Sequence, residues 1–183
     1  MRVEFLGTGT STGVPMIGCR CDVCRSKDSR DRRLRSSVCL TVDDKNILID
    51  CGPDFRQQML RSGIDHIDAV LLTHEHYDHT SGLDELRNFS RNNPIPIYAE
   101  PNVLDIIHQR LFYCFSKQPN PGVAHLELKA IENLSPFTLF GIDIEPVRVW
   151  HYRLPIIGYR IGRFAYITDM LTIPDGECAK LSN

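Results

Sequence analysis

The run Thr73-His74-Glu75-His76-Tyr77-Asp78-His79 places four metal-capable side chains within six residues. It follows directly on Ile67-Asp68-Ala69-Val70-Leu71-Leu72, an apolar stretch that predicts a buried strand, so the cluster falls on the loop where a strand ends. Imidazole nitrogens and a carboxylate suit borderline divalent ions such as zinc and tolerate iron or manganese. In an extended turn His74 and His76 point the same way and share one ion. Asp78 and His79 then face a neighbouring position. The bland alternative is a polar loop decorated with His and Asp. A chain with seven histidines in 183 residues would rarely put three of them within six positions.

A second cluster lies upstream. Cys19-Arg20-Cys21-Asp22-Val23-Cys24 holds three thiols in six residues, and Met1 opens straight into a strand-like segment with no charged-then-apolar leader. Thiols this close in such a chain predict a structural zinc site rather than a disulfide framework, with three reduced cysteines on a mobile loop as the alternative. Such a site needs a fourth ligand. Cys39, Cys51 and Cys114 are flanked by apolar residues and are expected to pack as small hydrophobes, with Cys178 incidental. Arg25 to Arg35 carries six cations against two acids, which reads as a solvated loop or, alternatively, an anion-attracting rim. It has no aromatic residue to stack on single-stranded nucleic acid, and a formal net charge of −2 gives no global basic field. No apolar run approaches bilayer length, so a cytoplasmic address is the simplest expectation.

The spacing predicts strands at 2–6, 38–42 and 46–50, the last two joined as a hairpin through Asp43-Asp44-Lys45. A helix is expected from Asp54 to Ser62, opened near Pro53 and stopped by Gly63. After the strand at 67–72 come a helix at 82–88, a short strand at 94–99 and a helix at 102–111. Pro119-Asn120-Pro121-Gly122 reads as loop. Strands then follow at 126–130, 137–140, 142–149, 156–161 and 164–168, with Gly141 and Gly162 as hairpin turns. One domain over residues 1–183 is the prior for this length.

These motifs resemble the metallo-β-lactamase-fold hydrolases. His74-x-His76-x-Asp78-His79 is similar to the family's signature. Phe5-Leu6-Gly7-Thr8-Gly9-Thr10 resembles its opening strand and turn, and Ile47-Leu48-Ile49-Asp50-Cys51-Gly52 the strand and turn before the metal loop. Trp150-His151 and Thr168-Asp169 resemble its later one-ligand motifs. The resemblance implies a mixed α/β (α+β) fold, a four-layer αββα sandwich. Together with the three cysteines it is closest to the phosphodiesterase branch that acts on phosphoribosyl cyclic phosphate.

The resemblance implies two divalent ions, zinc or manganese, with a bridging hydroxide that attacks phosphorus. His74, His76 and His151 are expected at the first ion. Asp78, His79 and Asp169 are expected at the second, with Asp169 as the shared bridge and Asp78 required for catalysis. His151 and Asp169 each end an apolar strand, where a rigid scaffold presents ligands. Asp50 and Asp54 are expected behind the ligands, orienting an imidazole. His66, His108 and His125 are expected elsewhere. The resemblance implies a histidine near the C-terminus as the last ligand of the second ion, and likewise a histidine near the C-terminus as the fourth ligand of the cysteine site. No histidine follows His151 here, so the chain is expected to be a shortened domain lacking the final C-terminal elements, with a weaker second ion and an open cysteine site.

The expected partner is a small-molecule phosphodiester, with a homodimer left open and neither membrane nor nucleic acid involved. Two alternatives stand. A tRNA 3′-end-processing nuclease would want a long basic insertion between residues 80 and 150 that is absent, and it lacks the cysteine loop. A non-catalytic metal-binding domain is the other.

Overall fold

The structure is a computed structural model describing residues 1–116 and 121–182. Three antiparallel strands start the first sheet. β1 (Arg2–Gly7) lies antiparallel to β2 (Ser37–Val42), which returns antiparallel as β3 (Lys45–Ile49). The β2–β3 connection is the two residues Asp43 and Asp44, at φ 46° and 61°. Both sit in the left-handed region that a tight twisted hairpin demands and that short polar side chains tolerate.

From β3 onward the sheet turns parallel, through β4 (Ala69–Leu71), β5 (Ile95–Ala99) and β6 (Leu126–Ala130). Parallel neighbours need crossovers, and helices supply them. α2 (Phe55–Ser62) joins β3 to β4, and α4 (Pro101–Arg110) joins β5 to β6. Gly63 ends α2 in the left-handed conformation at φ 72°, its N–H donating to the Met59 carbonyl. Between β4 and β5 lie the single turn α3 (Tyr77–Thr80) and a 3-10 helix over Leu83–Asn88. The helix expected there is thus a 3-10 helix. Its buried residues, Leu83 and Leu86, are three apart, and three residues per turn stacks them on one face.

The second sheet is an antiparallel meander in the order β10-β9-β8-β7: β7 (Phe137–Leu139), β8 (Ile142–His151), β9 (Leu154–Ile161) and β10 (Phe164–Tyr166). Gly141 and Gly162, at φ 75° and 58°, make its outer turns as expected. Residues 119 and 120 of the expected Pro-Asn-Pro-Gly loop lie outside the described residues.

Strand alternation sorts the core into layers. From β2, Val38 and Leu40 face the second sheet, where they meet Ile144, Ile157, Tyr159 and Ile161. Cys39 points the other way, toward Phe55, Met59, Val103 and Ile107 on the crossover helices. Each such fully buried aliphatic side chain contributes roughly 1.5–3 kcal/mol. The outer face of the second sheet, Val147, Val149 and Ile156, is covered by Ile167, Ile173 and Leu181. That fourth layer is slight: α5 (Asp175–Cys178) and a 3-10 turn over Ala179–Leu181. Among the described residues no helix is long and apolar enough to cross a membrane.

Candidate metal centre

The centre forms where β3 and β4 end, between the two sheets. Leu72 and Thr73 continue past β4 and are pinned from opposite sides. The Leu72 N–H donates to the Tyr98 carbonyl at 2.9 Å, the Ile157 N–H to the Thr73 carbonyl at 3.0 Å, and the Tyr159 hydroxyl to the Leu72 carbonyl at 2.6 Å. The neighbouring turn is pressed against α3. The Cys51 N–H donates to the His79 carbonyl at 2.7 Å, and a Cβ on Gly52 would stand 2.0 Å from the Asp78 carbonyl oxygen. Only glycine fits that contact.

His151 closes β8, and a bridge from Trp150 to Thr172 draws the segment after β10 alongside it. The Trp150 N–H donates to the Thr172 carbonyl at 2.8 Å. Asp169, at φ 52°, is thereby turned inward. Its Oδ2 lies 3.1 Å from His79 Nε2 and 3.6 Å from His74 Nε2, and His79 Nε2 is 3.2 Å from Asp78 Oδ2.

Two groups of ligand atoms result, each with all members within 4.8 Å of one another: His74, His76 and Asp169, and Asp78, His79 and Asp169. Asp169 belongs to both. His151 stands beside the first group, its ring 5.3 Å from that of His76 and 5.9 Å from that of His74. The tight first group is therefore closed by Asp169, with His151 flanking it.

Behind these side chains Asp50 is fully buried. It accepts from His79 Nδ1 at 2.7 Å, the Thr73 N–H at 2.9 Å, the Thr73 hydroxyl at 3.0 and 3.1 Å, and the Tyr166 hydroxyl at 3.3 Å. It turns the His79 Nε2 edge toward Asp78 and Asp169, as expected of a carboxylate behind a ligand. Asp54 does not share that task. One of its oxygens accepts from the Arg35 backbone N–H at 2.8 Å and the other from the Arg35 guanidinium at 2.9 Å. Thr73 and Tyr166 were not singled out by the sequence. Thr73 adjoins His74, which was signal enough, whereas Tyr166 is 116 residues from its partner Asp50.

The charges follow from this packing. Burial pulls His74 down to about 4, reinforced by the His79 charge. Burial also opposes charge on His79, but Asp50, Asp169 and Asp78 outweigh it and push the ring up to about 12. The hydrogen bond from His79 draws Asp169 down to about 2. Burial raises Asp78, yet His79 leaves it below the ordinary carboxylate range. Three carboxylates thus converge on a single cationic ring.

These residues fit a divalent metal. His74 Nε2 is a buried polar atom with no hydrogen-bond partner among the described residues, facing Asp169 Oδ2. Such an orphan costs about 1–3 kcal/mol unless something binds it, and imidazole, imidazole and carboxylate are zinc-type donors.

The thiols of Cys19, Cys21 and Cys24 also lie within 4.8 Å of one another, around the single turn α1 (Asp22–Arg25). The Met16 N–H donates to Cys24 Sγ at 3.4 Å. Cys39, Cys51 and Cys114 are buried, and burial pushes the Cys39 thiol up to about 12. In the basic stretch, Arg30 is committed to Asp28 and Arg35 to Asp54. His66 pairs with Asp65 at the surface and His108 stacks on Phe115.

Comparison with known proteins agrees with this architecture. The chain is 52% identical over 98% of its length to the octanoyltransferase of Porphyromonas gingivalis, but spans only 37% of that protein. The crystal structure of a diphosphatase from the PhnP family is 42% identical and superposes with a TM-score of 0.89, over 98% of this chain and 68% of that one. Coenzyme PQQ synthesis protein B of Methylobacterium nodulans is 32% identical over 80% of this chain, which spans 52% of it. The Zn²⁺-bound crystal structure of that protein from Methylobacterium extorquens is 26% identical and superposes at 0.76, over 98% of this chain and 69% of that one. The family described as beta-lactamase superfamily domain matches residues 45–183. Carrying that match over most of its length and sharing the fold of these structures, the chain belongs to the β-lactamase superfamily and has the metallo-β-lactamase fold.

Proposed function

We propose that this chain is a two-metal hydrolase acting on a small cyclic phosphate or phosphodiester. The observation that carries the reading is Asp169, one carboxylate shared by two adjoining groups of ligand atoms. His74, His76 and Asp169, flanked by His151, would hold one ion. Asp78, His79 and Asp169 would hold the other. Two such ions, zinc or manganese, lower the pKa of bound water toward neutrality and neutralise phosphate oxygens.

The protein's own groups set the geometry. His74 and His79 are buried and fixed, whereas His76, Asp78 and Asp169 are partly exposed and form the open side from which substrate arrives. Asp78 supplies negative charge on that side, and its loss would take a ligand from the second ion. Hydrolysis at phosphorus is favoured by the likeness to a diphosphatase, which extends over more than two thirds of that protein. The octanoyltransferase is a weaker guide, because well over half of it lies outside the match.

The three thiols would hold a third, structural zinc at about 2.3 Å from each sulfur. Thiol counting before and after chelation tests this. Protection of three thiols that disappears on chelation is expected, and three thiols reactive throughout would contradict it.

The test of function pairs metal analysis with hydrolysis of bis(4-nitrophenyl) phosphate. Turnover should vanish on chelation and return with zinc or manganese. A metal-loaded protein that leaves phosphodiesters untouched would overturn the phosphodiesterase reading.

A further inference from the structure

Asp50 accepts from a backbone N–H and two hydroxyls, and an imidazole nitrogen faces it at 2.7 Å. One of those hydroxyls belongs to Thr73. Its Oγ1 lies 3.1 and 3.0 Å from the two Asp50 oxygens and 2.9 Å from His74 Nδ1. A threonine hydroxyl has one proton and two lone pairs. With the proton directed at Asp50, the contact to His74 can be made in one way, with Nδ1–H donating to the threonine oxygen. A neutral His74 then carries its lone pair on Nε2, the atom that is buried with no hydrogen-bond partner among the described residues and lies 3.6 Å from Asp169 Oδ2.

We infer that Thr73 is a positioning residue that sets the tautomer of His74, passing the demand of Asp50 through its hydroxyl so that the imidazole presents a bare Nε2 to the first ion. The inference deepens the two-metal reading and rests on it for the ion. The tautomer itself exists without metal. One buried carboxylate then orients two ligand imidazoles, His79 directly and His74 by way of Thr73. The Thr73 backbone contributes separately, because its N–H also donates to Asp50 and its carbonyl accepts from Ile157. A side-chain substitution leaves both of those bonds in place. Valine matches threonine in shape and lacks only the hydroxyl's hydrogen bonds, whereas serine keeps them.

The experiment records nitrogen-15 histidine spectra of the metal-free protein and titrates zinc into wild type, Thr73→Val and Thr73→Ser. Wild type should show His74 protonated at Nδ1. Thr73→Val should lose that single tautomer and bind the first zinc about 10–100-fold more weakly, and Thr73→Ser should restore both. His74 protonated at Nε2 in the wild-type protein would overturn the inference whether or not any variant folds. So would Thr73→Val with an unchanged tautomer and a zinc affinity within about twofold of wild type, a margin well inside the 10–100-fold loss expected. If wild type takes up no zinc at the histidines, the metal reading fails, and the spectrum still decides the role of Thr73.

Discussion

At the histidine centre the candidate ligand side chains come from the end of β8, from α3 and from the segments after β4 and β10, with His74 and His79 almost completely buried and Asp50 behind them. The three thiols lie on and just before α1, a single turn with no buried residue, and the bonds at these cysteines are local: Met16 N–H to Cys24 Sγ, Cys19 N–H to the Met16 carbonyl and Arg25 N–H to the Cys21 carbonyl. Both clusters bring three donors within 4.8 Å, so closeness does not distinguish them. What differs is who supplies the order. In the centre, hydrogen bonds from Tyr159, Ile157 and Cys51 fix the backbone before any ion arrives. Around the cysteines the bonds run between residues close in sequence, so an ion would add more of the order there. A site preorganised by the fold spends little of the ion's binding energy on ordering and suits catalysis, whereas a site ordered by its ion suits a structural clip.

The largest expected effect separates the two clusters by activity. Asp78→Ala should lower phosphodiester turnover by on the order of 10³-fold, or about 4 kcal/mol in barrier. Cys19→Ser should leave most of the turnover intact. Equal losses from the two substitutions would break the comparison.

Stability gives the next contrast. Asp50→Ala strands the buried His79 ring without its 2.7 Å partner and should cost about 3–5 kcal/mol in denaturant unfolding. Cys19→Ala in chelated protein trims a half-buried thiol in the loop before α1 and should cost no more than about 1 kcal/mol. An Asp50 variant as stable as wild type would mean that the fold does not depend on this carboxylate.

Hydrogen exchange sharpens the same point. On chelation, amides of residues 16–25 should exchange about tenfold faster, equivalent to about 1.4 kcal/mol of local stability. Those of Leu72 and Thr73, bonded to Tyr98 and Asp50, should hold their protection. Loss of protection at both places would show that the centre also needs its ion for order.

The smallest effect is the control. His66 is half exposed and pairs with Asp65 on the surface, so His66→Ala should change stability by no more than about 1 kcal/mol. Phosphodiester turnover should be unaffected.

Much of this was legible in the sequence because the signals were local. The histidine loop, the Asp50-Cys51-Gly52 turn and the strand alternation of Val38 to Val42 each declare themselves within a few residues. His151 and Asp169 had weaker local signals, and only the bridge between Trp150 and Thr172 shows how they come to lie side by side. Asp54 misled for a complementary reason. It adjoins the right turn, but Arg35, nineteen residues upstream, takes both of its oxygens. Tyr166 could not have been found, since a hydroxyl reaching Asp50 from another sheet leaves no pattern in the chain. The 3-10 geometry of Leu83–Asn88 was missed because Leu83 and Leu86 at three-residue spacing suit either helix type.

The most direct test of the central claim is an anomalous difference map at the zinc edge, from crystals grown with excess zinc. Two peaks roughly 3.5–4 Å apart are expected, one against His74, His76 and Asp169 and the other against Asp78, His79 and Asp169, with Asp169 touching both. A map with no peak at His74 Nε2, or with zinc bound only at the cysteines, would contradict the account.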